Sequence, residues 1–320
     1  MNGLSVWITG ARGFIGRHLA RTLADKGHRV CGLGHGLWSE PEARGVGVVQ
    51  WLNGDVRTAN LQSLARQQPG PPDAVFHLAG GSSVAAAIAA PLEDFDRTVG
   101  STAELLDWLR QESPATRLIA VSSAAVYGSV QQGLLSEETA CRPCSPYGFH
   151  KLMAEQLCGS YAESYGVRAS AARLFSVYGR GLKKQLLWDL CTRLSAGGNV
   201  ELSGTGEELR DWTDVRDVAR ALALLLESSL DGVSRINIGT GIGTSVRRIA
   251  ELVCDAWPNA AAVTFNGRSR PGDPFSLVAD AQRLSRLRFD WSISVEQGVV
   301  DYVRWFRRQL PPAFGPRRGD

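Results

Sequence analysis

Tyr147 and Lys151, in the run Tyr147-Gly148-Phe149-His150-Lys151, carry the first sign of chemistry in this sequence. On a helix, positions four apart share a face, so a phenol and an ammonium would project into one site. A phenol with an ordinary pKa of about 10 exchanges protons poorly near neutrality. A fixed positive charge beside it favours the phenolate and lowers that value, which makes Tyr147 a usable general acid or base. Lys151 would also hold the ribose hydroxyls of a nicotinamide. Ser123 precedes the tyrosine at the end of an apolar run and can hydrogen-bond a sugar oxygen beside it. Tyr127 would line the sugar pocket, and His150 reads as a surface or packing residue.

A second cluster of chemistry is backbone rather than side chain. In Thr9-Gly10-Ala11-Arg12-Gly13-Phe14-Ile15-Gly16 the glycines recur at every third position. Gly10 would permit a sharp turn, Gly13 the close approach of a phosphate, and Gly16 the packing of a helix on a strand. A helix N-terminus offers free N–H groups and partial positive charge to a pyrophosphate. The motif follows a predicted strand and opens a predicted helix, the context that dinucleotide binding requires. An acid at the end of the second strand would mark NAD, yet that strand ends Gly32-Leu33-Gly34-His35-Gly36. Arg12 and His35 could instead meet a 2′-phosphate, so NADP is favoured over NAD. Arg12 as a solvated loop charge and His35 as a loop histidine are the plain alternatives. Asp55 and Val56 follow the third strand and offer an adenine contact.

The elements that must position these groups follow from periodicity. Predicted strands cover 4–9, 28–33, 46–51, 74–78, 118–122 and 169–174, alternating with helices at 14–26, 95–110 and 147–165. Gly27 closes the first helix, and Ser145 with Pro146 opens the last as N-cap and first residue. The alternation predicts an α/β fold, a Rossmann-like doubly wound parallel sheet covered on both faces. After about residue 175 the rhythm changes. Helices are predicted at 184–196, 214–227, 245–257 and 295–307, and short strands at 236–238 and 262–265. The organisation expected is a dinucleotide-binding domain, 1–175 plus about 212–240. A smaller C-terminal α/β substrate domain would come from 176–211 and 241–320. The tail 311–320 reads as frayed.

Composition narrows the class. Lys and Arg number 35 against 32 Asp and Glu, a net charge of +3, too small for a nucleic-acid footprint. The chain is 44% hydrophobic and 21% charged, ordinary for a globule and against wholesale disorder. Its 320 residues can bury a core without disulfides or structural metal. The six cysteines include one lone CxxC, Cys141 and Cys144, with no second pair at zinc spacing, so inert thiols in a reducing cytoplasm and no metal are expected. Residues 74–92 are interrupted by Gly80, Gly81, Ser82 and Ser83 and read as strand and loop, not a membrane span. No targeting segment is read at the start.

Taken in order, TGARGFIG at 9–16, NGDV at 53–56, HLAG at 77–80, SSAAVYG at 122–128, SPYGFHK at 145–151, RLFSVYGRG at 173–181, SGTGEELRDWTDVRDVA at 203–219 and RPGD at 270–273 resemble the extended short-chain dehydrogenase/reductases, specifically the nucleotide-sugar epimerase/dehydratase family. The resemblance spans nearly the whole chain. It implies Ser123, Tyr147 and Lys151 as catalytic residues. It implies dinucleotide contacts from Gly10, Arg12, Gly13, Phe14, Ile15, Gly16, His35, Asp55, Val56, Leu78, Ala79, Gly80 and Lys151. Ser82, Ser83 and Val84 match the loop flanking sugar and nicotinamide. Arg210 and Arg270 match positions that meet a diphosphate, and Asp273 one that meets the nucleotide ribose. Structural ion pairs with Asp211, Asp214 or Asp217 are the plain alternative for the arginines.

Departures from the family pattern shape the reaction. Ser123-Ala124-Ala125 stands where the dehydratases carry Thr-Asp-Glu, which argues against elimination of water. Ser176 and Thr98 replace the usual asparagines after the sixth strand and in the fourth helix. What remains is hydride exchange at a sugar carbon, most simply C4. The first expectation is an NDP-hexose 4-epimerase. The second is an NADPH-dependent reductase of an NDP-4-keto-hexose, and a non-catalytic NADPH sensor comes third. The resemblance also implies a homodimer through helices 95–110 and 147–165.

Overall fold

The computed structural model describes residues 3–129, 133–197, 199–228, 234–268 and 275–310. Six strands succeed one another in the first part: β1 (Ser5–Thr9), β2 (Arg29–Gly34), β3 (Val48–Asn53), β4 (Ala74–His77), β5 (Arg117–Ser123) and β6 (Arg168–Leu174). With β10 (Ser234–Ile238) they form one parallel sheet in the order β10-β6-β5-β4-β1-β2-β3. The order reverses between β1 and β4, which pair directly, Thr9 opposite His77. The carboxyl ends of strands at such a reversal form the ligand crevice of an open α/β sheet.

The helices of this part are α1 (Phe14–Asp25), α2 (Glu40–Gly45), α3 (Thr58–Arg66), α4 (Val84–Ala89), α5 (Pro91–Phe95), α6 (Ser101–Glu112) and α7 (Pro146–Tyr165). Alternation along the strands sends side chains to two cores. Val6 and Ile8 of β1 join Leu19 and Leu23 of α1. Trp7, between them, joins Leu105 and Leu109 of α6 and Cys158 of α7. The boundaries follow their capping residues. Gly27 takes φ +85 after α1. The Ser145 hydroxyl accepts from the Gly148 N–H, 3.2 Å, with Pro146 next, and Gly166 closes α7 at φ +71.

The single helix expected over 95–110 is three pieces. A wide π turn, Asp96–Gly100, separates α5 from α6. Side-chain hydroxyls there bond backbone carbonyls, Ser101 to Arg97 O at 2.6 Å and Thr102 to Thr98 O at 2.6 Å. Such back-bonding competes with the regular ladder, and apolar spacing alone does not reveal it.

The second part holds β7 (Ser176–Tyr178), α8 (Gln185–Ala196), β8 (Val200–Leu202), β9 (Leu209–Asp214), α9 (Val215–Glu227), β11 (Gly243–Ser245), α10 (Val246–Asp255), β12 (Val263–Phe265), β13 (Ser276–Leu277), α11 (Gln282–Arg286) and α12 (Val295–Arg307). β9 is the hub, paired with β7, β11 and β13. These four strands have two to six residues each, too short for a clear alternating pattern. Leu187, Leu190, Ile249, Val253, Tyr302 and Phe306 give α8, α10 and α12 their own core. Helix α9 returns to pack on α1 through Val218, Leu222 and Leu225. Leu284, Leu287, Phe289 and Trp291 also pack into that first core. The tail 311–320 lies outside the described residues. Among the described residues no helix is long and apolar enough to cross a membrane.

Candidate functional site

A cleft of about 700 Å³ opens over the strand ends where β1 meets β4. Its floor is backbone. Gly10 has φ +76, and a methyl group placed there would stand 3.0 Å from Ala79 N. A methyl on Gly16 would overlap Gly10 O, so α1 lies directly on the turn. Gly13 is the N-cap of α1 and offers no capping side chain, which leaves the first N–H groups of the helix to a ligand. The strand ends are latched together by side chains. The Ala79 N–H donates to Thr9 Oγ1, 3.2 Å, and the Thr9 hydroxyl meets His77 Nδ1 at 2.7 Å. His77 Nε2 reaches Thr102 Oγ1 at 3.1 Å. Burial, with the nearby Lys151 charge, drives the His77 pKa down to about 3, so the ring is neutral and bridges β1, β4 and α6.

Gly10, Arg12, Gly13, Phe14, Ile15, Gly16, His35, Asp55, Val56, Leu78, Ala79 and Gly80 all line this cleft. His35, read as a group that could meet a 2′-phosphate, has a carboxylate beside it: its Nε2 pairs with Asp55 Oδ1 at 2.8 Å. That carboxylate follows β3, the neighbour of β2 in the sheet.

Ser123, Tyr147 and Lys151 converge on the same cleft. β5 delivers Ser123, whose hydroxyl stands beside the Tyr147 phenol and favours its charged form. The Lys151 ammonium lies 5.8 Å from the centre of the Tyr147 ring and donates to Val121 O at 3.2 Å. Burial pushes the Tyr147 pKa up, the Ser123 hydroxyl opposes that, and Asp94 adds to the rise. Proximity to Lys151 was expected to put the phenol below its ordinary value. The structure holds it above, because desolvation outweighs the neighbouring groups. Burial also lowers Lys151 itself to about 8, against the raising influence of Asp94 and Glu155.

The expected substrate residues divide. Ser82 lines the cleft. Ser83 and Val84 do not: the Ser83 hydroxyl accepts from the Ala86 N–H as the cap of α4, which Val84 begins. Tyr127 requires correction. It is 1% exposed, and its hydroxyl donates to Asn237 Oδ1 at 2.7 Å and accepts from Arg173 Nη1 at 2.9 Å. The short 3₁₀ turn after Ser123 carries the ring into the core, where it satisfies a buried asparagine. Ser176 sits half-buried on β7, off the cleft wall. Arg210 on β9 donates to Leu209 O at 2.8 Å and to Phe275 O at 3.2 Å. Asp211, Asp214 and Asp217 make other bonds, to Thr240, Arg216 and Arg220 respectively. Arg270 and Asp273 lie outside the described residues.

Sequence reasoning missed the facing wall. Phe175, Val177, Lys183, Lys184 and Gln185 line the cleft from the segment after β6. The Lys184 ammonium donates to Ser82 O at 2.9 Å, and burial lowers its pKa. Adjacent lysines after a glycine-rich turn were the available signal. Thr98, at the departure from the family pattern, accepts the Gly81 N–H at 2.8 Å and so fixes the loop after β4.

The sequence pattern of the NAD dependent epimerase/dehydratase family matches residues 6–239. A UDP-glucose 4-epimerase from Azospirillum brasilense is 29% identical, over 97% of this chain and 94% of that protein. The structure of MoeE5 in complex with UDP-glucuronic acid and NAD superposes with a TM-score of 0.85 at 32% identity, over 96% of this chain and all of that one. Thermus thermophilus UDP-glucose 4-epimerase in complex with NAD superposes at 0.86 with 29% identity, over 96% of this chain and all of that one. Both of these structures hold NAD, which runs against the sequence-based preference for NADP.

Proposed function

Since this chain belongs to the NAD-dependent epimerase/dehydratase family, we propose that it is an NAD-dependent 4-epimerase of a UDP-hexose. The observation that carries the reading is the convergence of Ser123, Tyr147 and Lys151 with a glycine turn in one cleft. The residues fit a dinucleotide: Gly16 lets α1 lie directly on the glycine turn, where a Cβ would strike Gly10 O, and the N-terminus of α1 presents uncapped N–H groups. The turn Gly10–Gly16 and Lys151 would hold NAD, which in oxidised form would supply the reversible hydride acceptor that chemistry at the sugar C4 requires.

The chain's own residues do the rest. The Lys151 ammonium and the positive charge that a bound oxidised cofactor would bring oppose the burial that raises the Tyr147 pKa, so that as phenolate Tyr147 Oη can take the C4 hydroxyl proton and later give it back. Ser123 donates to the phenolate and steadies the sugar oxygen. Lys151 adds positive charge beside the phenol and, through its N–H groups, holds ribose hydroxyls. NAD is assigned over NADP because Asp55 places a carboxylate beside His35, where a 2′-phosphate would meet like charge. The sugar is assigned to the space between Ser82, Tyr147 and Lys184. Arg210, with Arg270 and Asp273, is assigned the diphosphate and nucleotide ribose. The same reading assigns the sheet part and the 176–211 plus 241–320 part as two domains around the cleft. It also pairs two copies through α7 and the α5–α6 rod, where Leu92, Phe95, Phe149 and Met153 expose apolar surface.

The test is direct. Purified protein given NAD and UDP-glucose should form UDP-galactose, followed by proton NMR of the anomeric signals, with no net consumption of NAD. Stoichiometric oxidation of NADPH by an NDP-4-keto sugar, without interconversion of the hexoses, would overturn the assignment.

A further inference from the structure

His150 stands inside the catalytic run, yet the mechanism above gives it nothing to do. The structure buries it against Asp94 of α5. The two residues are 9% and 6% exposed, and His150 Nδ1 donates to Asp94 Oδ2 at 2.6 Å. Phe95 meets the imidazole edge-on, with ring centres 5.6 Å apart. The second carboxylate oxygen, Asp94 Oδ1, is pressed against Gly81, where an added methyl would overlap it. On the neighbouring Gly80, an added methyl would stand 3.4 Å from Lys151 Nζ and 3.2 Å from Thr98 Oγ1. Two consecutive glycines of the sugar-side loop thus lie between a buried carboxylate and the catalytic ammonium.

We propose that Asp94, oriented by His150, is a positioning residue of this active site, fixing the Gly80–Ser82 loop and supplying the negative charge that faces Lys151. A buried carboxylate without partners is costly, and one without a directed donor would not hold one orientation. The imidazole N–H satisfies one oxygen of Asp94 from the same helix that carries Lys151. The other groups facing Lys151 are accounted for. Glu155, one turn along α7, accepts from Ser122 at 2.5 Å and from Arg173 at 2.7 Å. His77 of β4 is neutral, and Tyr147 is a phenol above its ordinary pKa. Asp94 is the stronger of the two carboxylates opposing the effect of burial on Lys151. The kinetic part of this inference rests on the epimerase reading; the electrostatic part does not.

The chain has only four lysines, Lys26, Lys151, Lys183 and Lys184, so ε-carbon labelling gives a readable NMR titration. In the wild type the Lys151 midpoint should fall near pH 8, and in Asp94→Asn it should move down by about one pH unit. Asp94→Asn should also lower kcat for UDP-glucose about tenfold with KM changed less than about twofold, and the alkaline limb of kcat should follow the lysine midpoint. His150→Gln, which keeps a donor, should stay close to wild type, whereas His150→Leu should move part of the way. Asp107→Asn, a half-buried carboxylate on α6 that pairs with Arg110, serves as the unaffected control. An Asp94→Asn protein with lower thermal stability but an unshifted Lys151 midpoint and alkaline limb would overturn the proposal. If Asp94→Asn fails to fold, the same two readings on His150→Leu decide. The titration needs no substrate. A chain that turned over no nucleotide sugar would defeat the epimerase reading alone, and an active epimerase with an indifferent Lys151 would defeat this one alone.

Discussion

The two walls of the cleft are built in different ways. The sheet wall is assembled from strand ends in fixed register, and its groups hold one another: Thr9 to His77, and His77 to Thr102. The facing wall is a run of chain after β6, anchored by single bonds such as Lys184 to Ser82 O and His18 to Arg180 O. The sheet wall therefore suits chemistry, which needs fixed geometry. The facing wall suits selection among sugars, which needs a surface that can differ between relatives without disturbing the fold.

The largest effect that could break this contrast lies on the sheet wall. Tyr147→Phe should cut kcat about a thousandfold, the scale of losing an acid–base group, while the dissociation constant for NAD changes little. Turnover within about tenfold of wild type, measured by NMR of the hexose signals, would remove Tyr147 from proton transfer. Lys184→Met comes next, on the facing wall. KM for the nucleotide sugar should rise about tenfold, equivalent to about 1.4 kcal/mol, with kcat held within about twofold. A loss confined to kcat would mean that the facing wall also takes part in the chemistry.

The smallest effect concerns the latch beneath the sheet wall. His77 in the folded protein has its pKa depressed from 6.5 to about 3 by burial. The unfolded chain thus binds the extra proton throughout that window. Stability present above pH 6.5 is lost as the pH falls toward 3, with a slope of at most about 1.4 kcal/mol per pH unit from this group. Denaturant midpoints between pH 7 and 4 should therefore fall more steeply in the wild type than in His77→Asn. Equal slopes would show that the latch titrates elsewhere.

The same contrast explains what could be read from the chain in advance. The glycine turn and the YxxxK helix were legible because each depends on spacing within one turn or one helix, and the structure puts Gly10, Gly16, Ser123, Tyr147 and Lys151 on one cleft. Tyr127 was misjudged because its direction depends on a partner, Asn237, more than a hundred positions away. The phenol of Tyr147 was expected low and lies high because burial, which spacing cannot display, outweighs a nearby charge. Lys184 was passed over since nothing local says that its segment will cross to Ser82. The strands around β9 escaped notice because elements this short are stabilised by pairing rather than by their own pattern. Asp55 shows the same limit: its carboxylate comes beside His35 only because β3 lies next to β2.

The wide turn at Asp96–Gly100 has a consequence of its own. An α-helix advances about 100° in azimuth per residue, so the extra residue held in that turn resets the phase of everything beyond it. One rod can then aim Asp94 toward α7 on one side of the turn and Thr102 toward His77 on the other. Deleting a single residue from the turn would restore a regular screw and rotate one of those two side chains away from its target. The irregularity is what lets a continuous piece of chain serve both ends of the loop between β4 and α4.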